Sequence, residues 1–216
     1  MFKKHQPNIE EFARKDPDNF AQVVLFVSAT IQQMFHTVPA IVEDVRERGL
    51  DSKHLWGSKI DTWIYTLANK EMLFEAVFSD MDLEDKLLSL AEIPGIGLVK
   101  AGFVLQLCTG EVGCLDVHNL RRFGLSAQTF KLGKVKYLTA RKKATLYIKT
   151  CIECGGSEKL WDDWCNLIAE KYPMRFRVGN GVSEYFGHAV SELHEEIITG
   201  AIKYRLGEII SSSEDS

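Results

Sequence analysis

Ile93-Pro94-Gly95-Ile96-Gly97-Leu98-Val99-Lys100-Ala101 is the stretch on which the reading of the chain turns. It lies between two runs whose apolar residues recur at helical spacing, Leu83 to Ala91 and Val99 to Cys108. A proline and two glycines in so short a gap predict a tight reversal, giving a helix, a hairpin turn and a second helix. Gly95 and Gly97 can take backbone angles closed to other residues, and without side chains they let a phosphate approach the peptide N–H groups. The second helix points its N-terminus, with unpaired donors and partial positive charge, at the same place. A site built from backbone fixes the register of a strand without reading its sequence. Alone, the motif is equally an ordinary connection between helices.

Outward from the hairpin, helical spacing recurs from Asn19 to Val45, with Pro39 marking a break, and over Lys59 to Leu67, Lys70 to Phe78, Arg141 to Cys154 and Glu158 to Lys171. No run alternates with period two, so the chain is expected to be all-α. Gly155 and Gly156 are expected to close one helix, Ser157 to cap the next, and Pro173 to stop it. The tail from Gly179 is less regular, and residues 211–216 read as a polar end.

At 216 residues and 45% hydrophobic, the chain can bury one sizeable core or two small lobes. A net charge of -4 argues against binding a polyanion through overall charge alone. Basic residues cluster at Lys131, Lys134, Lys136, Arg141, Lys142 and Lys143, with Arg121 and Arg122 upstream. The plain reading of that cluster is a solvated face. Five cysteines and no secretory leader suggest free thiols in a reducing cytoplasm. Cys151 and Cys154 form a C-x-x-C without a second pair at zinc spacing, so the pair reads as structural. No apolar stretch is long enough to span a bilayer, and no membrane partner is expected.

A second constellation follows the hairpin: Gly113-Cys114-Leu115-Asp116-Val117-His118-Asn119-Leu120-Arg121-Arg122-Phe123-Gly124. Taken with the hairpin, Leu115-Asp116-Val117-His118 resembles the signature of the helix-hairpin-helix DNA glycosylase superfamily, in which an aspartate follows the hairpin by one helix and one short loop. Upstream, Val27-Ser28-Ala29-Thr30-Ile31-Gln32-Gln33 resembles that family's early helix ending in a loop that probes DNA, and Gly57-Ser58-Lys59 a basic turn opening a later helix. The resemblance covers roughly residues 20 to 125.

The resemblance implies a two-lobed helical unit, residues 20–118 forming the lobe with the hairpin and residues 1–19 plus 119–216 the other, with the active site between them. It makes Asp116 the catalytic carboxylate, beside a nucleotide swung out of duplex DNA. Breaking an N-glycosidic bond builds positive charge on the sugar, which a fixed carboxylate stabilises while it orients or deprotonates water. Aspartate here is also a favoured helix N-cap, and both roles can hold at once. Pro94, Gly95, Ile96, Gly97, Lys100, His118 and Arg121 become candidate contacts to the DNA backbone. Gln32 and Gln33 become candidates for filling the gap left by the extruded base. The backbone carbonyls of Ala91, Ile93 and Ile96 become candidate ligands for a monovalent or divalent cation in the hairpin; no cofactor is required. Trp56, Trp63, Trp161, Trp164 and Phe35 are candidates to stack on a base, with core packing the plainer role.

The sequence departs from the family pattern in two places. Many bifunctional members carry a nucleophilic lysine two residues after the second hairpin glycine, where this chain has Val99, and Lys100 is expected to rotate away from the cleft. Four cysteines in the grouping that holds an iron–sulfur cluster are absent as well. The expectation is therefore a monofunctional glycosylase, monomeric, from a prokaryote or a virus. The alternatives are a transferase on the same scaffold, adding an amine to an activated 5-substituted thymine in phage DNA, and a helix-hairpin-helix binding module without chemistry.

Overall fold

The computed structural model describes residues 6–31, 41, 44, 48 and 51–171. Gln32, Gln33, Phe35, Pro39, Pro173 and the tail lie outside them. The described part is all-α, without a strand. In chain order the helices are α1 (Gln6–Arg14), α2 (Pro17–Ala29), α3 (Ser58–Ala68), α4 (Lys70–Phe78), α5 (Leu83–Ala91), α6 (Leu98–Cys108), α7 (Val117–Arg122), α8 (Tyr137–Glu153) and α9 (Gly156–Lys171). A 3-10 turn over Ala127–Phe130 precedes α8. No helix among the described residues is long and apolar enough to cross a membrane.

Two helices are buried nearly all round, as a continuous apolar surface requires. In α2, residues Val23 to Ala29 are buried together with Phe20 and Ala21. In α6, burial runs from Leu98 to Cys108 with Val99 and Lys100 only partly covered. The two pack on one another, and α1 lies against both; α3 and α4 cover α2, while α5 covers α6. Buried side chains from Phe12 to Trp161 form one continuous core.

Local chemistry sets the ends. Asp16 accepts the Asn19 amide at 2.8 Å and Pro17 opens the first turn, so α2 begins two residues before the apolar period does. The long helix α8 begins at Tyr137, four residues earlier than its period suggests, because Tyr137 and Arg141 reach back to α5. Tyr137 donates to Asp85 at 2.6 Å, and Arg141 bonds Asp85 at 2.7 Å and Asp82 at 2.7 Å. Ser157 is not the cap expected of it: α9 starts at Gly156, and the Ser157 hydroxyl is buried without a partner among the described residues. Gly155 and Gly156 do take positive φ, 103° and 83°, so glycine reverses the chain between α8 and α9.

Apolar spacing found α3 but not its buried face. Its buried residues are Lys59, Thr62, Trp63 and Thr66, while Ile64 is 53% exposed. An inward face of this polarity is unusual, and it borders the hairpin.

Gly102 lies in α6, where alanine normally adds about 1 kcal/mol to helix stability. Here an added Cβ would stand 2.2 Å from the Tyr147 hydroxyl. Gly102→Ala is therefore expected to lower stability by about 1–3 kcal/mol, read by urea denaturation; a gain would show that α8 does not press on α6 as described.

Candidate active site

The hairpin is clamped from one side. Thr62 of α3 donates its hydroxyl to the Pro94 carbonyl, and Gly95, with φ +79°, sits so close that a Cβ would meet Ser58 Oγ and Thr62 Oγ1 at 3.0 Å. Glycine at 95 thus serves backbone angle and packing together. Gly97 differs: its backbone is extended, a Cβ there would meet nothing within 4 Å, and the residue is exposed. Its carbonyl accepts the amides of Lys100 and Ala101, both at 2.9 Å. The amides of Leu98 and Val99, in the first turn, have no intrahelical acceptor.

Within the turn the Ile96 amide donates to the Ile93 carbonyl at 2.9 Å, and the Ile96 side chain is core. The amide of Ile96, one of the candidate backbone contacts, is thus paired within the turn. The Ile93 carbonyl keeps a second lone pair. Carbonyl oxygens of the kind expected at Ala91, Ile93 and Ile96 are neutral hard donors, the chemistry that suits a hard cation held without a carboxylate.

The second constellation is held against the start of α6. Tyr147, fully buried in α8, donates its hydroxyl to the Gly113 carbonyl at 2.9 Å and accepts the Leu115 amide at 3.0 Å. Burial pushes this phenol well above the ordinary tyrosine range, so it stays protonated and able to donate. Gln106 accepts the Cys114 amide at 3.0 Å and donates to the Ser157 carbonyl at 2.9 Å. Asn119 donates to the carbonyls of Cys114 at 2.9 Å and Leu160 at 3.3 Å. The Cys114 thiol faces the Val99 carbonyl at 3.7 Å. Cys151 donates its thiol to the Gly113 carbonyl at 3.3 Å, and burial pushes it up to about 12, so the first cysteine of the C-x-x-C is part of the framework.

Asp116 emerges from this loop as the N-cap of α7. One oxygen, Oδ1, accepts the amides of His118 at 3.0 Å and Asn119 at 2.8 Å. Among the described residues Oδ2 accepts no hydrogen bond, and the side chain is only half-buried. The cap therefore fixes the carboxylate while leaving one oxygen for another partner. His118 is half-buried next to it, and Arg121 is exposed in the last turn without an ion pair among the described residues. Arg122 instead pairs with Asp163 at 3.1 Å.

The Lys100 side chain turns toward α2. Its amine donates to Thr30 Oγ1 at 2.8 Å and lies 5.6 Å from the centre of the Phe103 ring. Burial pushes this amine below the ordinary lysine range, opposed by Cys114 and Asp116. Burial, and then the charge of Lys100, does the same to Lys59. For both groups the unfolded chain holds the proton more tightly than the folded one. Stability therefore rises as pH climbs from the lowered values toward the ordinary lysine range.

Of the candidate aromatics, Trp63 and Trp161 are core, whereas Trp56 is 49% exposed, its ring centre 5.4 Å from the Lys59 amine. In the basic cluster, Arg141 is held by two aspartates and Lys143 donates to the Lys131 carbonyl, while Lys131, Lys134, Lys136 and Lys142 are exposed. Thr30, Thr62, Gln106 and Tyr147 had no local signal in the sequence, since each acts on a segment far along the chain. No protein-family model, curated protein or solved structure matches the chain.

The two hairpin glycines should part in a stability measurement. Gly95→Ala is expected to cost about 1–3 kcal/mol, and Gly97→Ala to stay within about 0.5 kcal/mol, by thermal or urea unfolding. Equal losses would mean that the open side of Gly97 is filled.

Proposed function

We propose that the chain is a monofunctional DNA glycosylase of the two-lobed helix-hairpin-helix type, acting on a damaged or modified base flipped from duplex DNA. The observation that carries this reading is the state of Asp116: one oxygen locked by two amides, the other open, on a loop fixed to the helix that starts at an exposed glycine turn. Such a carboxylate is preorganised, so it stabilises developing sugar charge without first having to be ordered. The free amides at the start of α6 and the open side of Gly97 suit a strand phosphate, and Arg121 extends that contact. With the DNA excluding water, Oδ2 orients the attacking water and takes its proton as the base departs. Gln32 and Gln33 are assigned to the gap left by the base, and the carbonyls of Ala91, Ile93 and Ile96 to a cation steadying the turn.

One observation favours a second reading. A partly buried amine whose proton affinity burial lowers and a carboxylate opposes is what a Schiff-base nucleophile needs, and Lys100 has those surroundings. In that case the sugar is held covalently on the lysine and the backbone is nicked after base loss.

The test is a panel of duplexes bearing modified bases, followed for free base, alkali-labile abasic sites and mass gain on the base. Base release by the wild type and its loss by at least about a hundredfold in Asp116→Asn, with duplex affinity kept, is the expected outcome. Asparagine still caps the helix, so folding is preserved. A borohydride-trapped adduct lost in Lys100→Gln would establish the second reading. Mass gain on the base with the sugar still attached would instead identify a base-modifying transferase, and unchanged behaviour of Asp116→Asn a binding module.

A further inference from the structure

Tyr147, Gln106 and Asn119 hold residues 113–115, the half of the loop nearest Asp116. The other half begins where Gly110, at φ +68°, closes α6 with its amide on the Leu105 carbonyl at 3.0 Å. The next residue is gripped by the first helix of the hairpin: Lys86 of α5 donates its amine to both carboxylate oxygens of Glu111, at 3.0 and 3.2 Å. The two ends of this bridge differ in setting. Lys86 is 6% exposed and shares the buried face of α5 with Leu87 and Leu90, whereas Glu111 stands at the surface. A pair of this kind is a poor source of stability, because desolvation of the amine offsets most of the attraction, and an apolar side chain of similar volume often serves as well or better. What an apolar side chain does not do is fix the place of residue 111. Two directed bonds do, and they tie it to the helix that runs into the hairpin. That helix is anchored to α8 as well, through Asp82, Glu84 and Asp85 on Arg141, Tyr137 and Thr145, and α8 carries Tyr147.

The geometry points to Lys86 and Glu111 as positioning residues for Asp116. The pair sets the first half of the loop against α5 while Tyr147 sets the second half against α8, so each half is held by one of two helices that are themselves bonded together. Asp116 then leaves the loop in one direction, with Oδ1 on the amides of His118 and Asn119 and Oδ2 open. The same pair joins the hairpin to the acid, since the helix that enters the glycine turn and the loop that ends in Asp116 move as one body through it. The positioning stands without the glycosylase reading; its effect on turnover rests on that reading. Under it, a strand settled on the turn meets a carboxylate already in place, and a small misplacement of that group is enough to slow the chemistry.

The discriminating variant is the double change Lys86→Met with Glu111→Gln, which removes both charges together, keeps the side-chain lengths and leaves no lone buried ammonium. It is expected to melt within about 5 °C of the wild type, or higher. Hydrogen–deuterium exchange of the amides at 111–119, including those of His118 and Asn119 on Asp116, should nevertheless quicken at least about tenfold, with α5 and α8 unchanged. On a duplex that the wild type cleaves, kcat should fall at least about tenfold while duplex affinity stays within about twofold. Glu111→Asp, which keeps both charges and shortens the reach by one methylene, should show the same split at about threefold or more. Lys149→Gln, which breaks the exposed pair with Glu153, should exchange and turn over like the wild type. Exchange at 111–119 that stays at the wild-type rate in the double variant and in Glu111→Asp overturns the positioning role; base release by the wild type then leaves the glycosylase standing. A lower melting temperature with exchange quickened evenly along the chain also overturns it, since the pair is then a stabiliser alone. Local quickening at 111–119 without base release from any duplex keeps the positioning and sinks the glycosylase.

Discussion

One hydroxyl, that of Tyr147, holds the arrangement together. It crosses from α8 over the bare backbone of Gly102 and bridges the Gly113 carbonyl and the Leu115 amide, the two ends of the bend that delivers Asp116. Both bonds are buried, where a lost partner costs about 1–3 kcal/mol. The loop has no secondary structure of its own between Cys108 and Val117, so its shape is imposed from outside by Tyr147, Gln106 and Asn119. A carboxylate on a loop pinned at every bend behaves as part of a rigid element, which is what a catalytic or capping role requires.

The hairpin is held by the same logic with different chemistry. Helix α3 presses on it through Ser58 and Thr62, and glycine at 95 is the residue that lets it come so close. The outer side, at Gly97, is left open. A turn braced on one face and bare on the other is fit to meet a large partner, and on an acidic chain that contact has to be local. The amines of Lys59 and Lys100 add to the same local positive field, since neither is neutralised by a close ion pair among the described residues.

Much of the fold was legible in the sequence because it depends on local period. Lys70–Phe78 and Leu83–Ala91 were read to the residue, since their apolar spacing and flanking breaks coincide. The start of α8 was misread, because the residues that extend it, Tyr137 and Arg141, are fixed by carboxylates more than fifty positions upstream. Helix α1 was not read at all; Phe12 and Ala13 are too few to make a period, yet they complete the core between α2 and α6. The hairpin and Asp116 were found by motif, and the cap geometry of Asp116 followed from its place before a helical stretch. The inward turn of Lys100 was not accessible: a quarter turn of helix says where a Cα points, while a long side chain follows the partners it meets, here Thr30 and Phe103. The polar inward face of α3 was hidden for the converse reason, as Ile60, Ile64 and Leu67 suggest an apolar face, of which Ile64 is exposed and Ile60 and Leu67 are only partly buried.

Under the proposed function two separate segments, residues 93–101 and 113–121, meet one bound strand. Hydrogen–deuterium exchange with and without a duplex carrying a non-cleavable abasic-site analogue tests this most directly. Protection of both segments together, with the exposed loop at 131–136 changing less, is the expected result. Protection confined to that basic loop, or exchange in the two segments that the duplex leaves as it was, would contradict it.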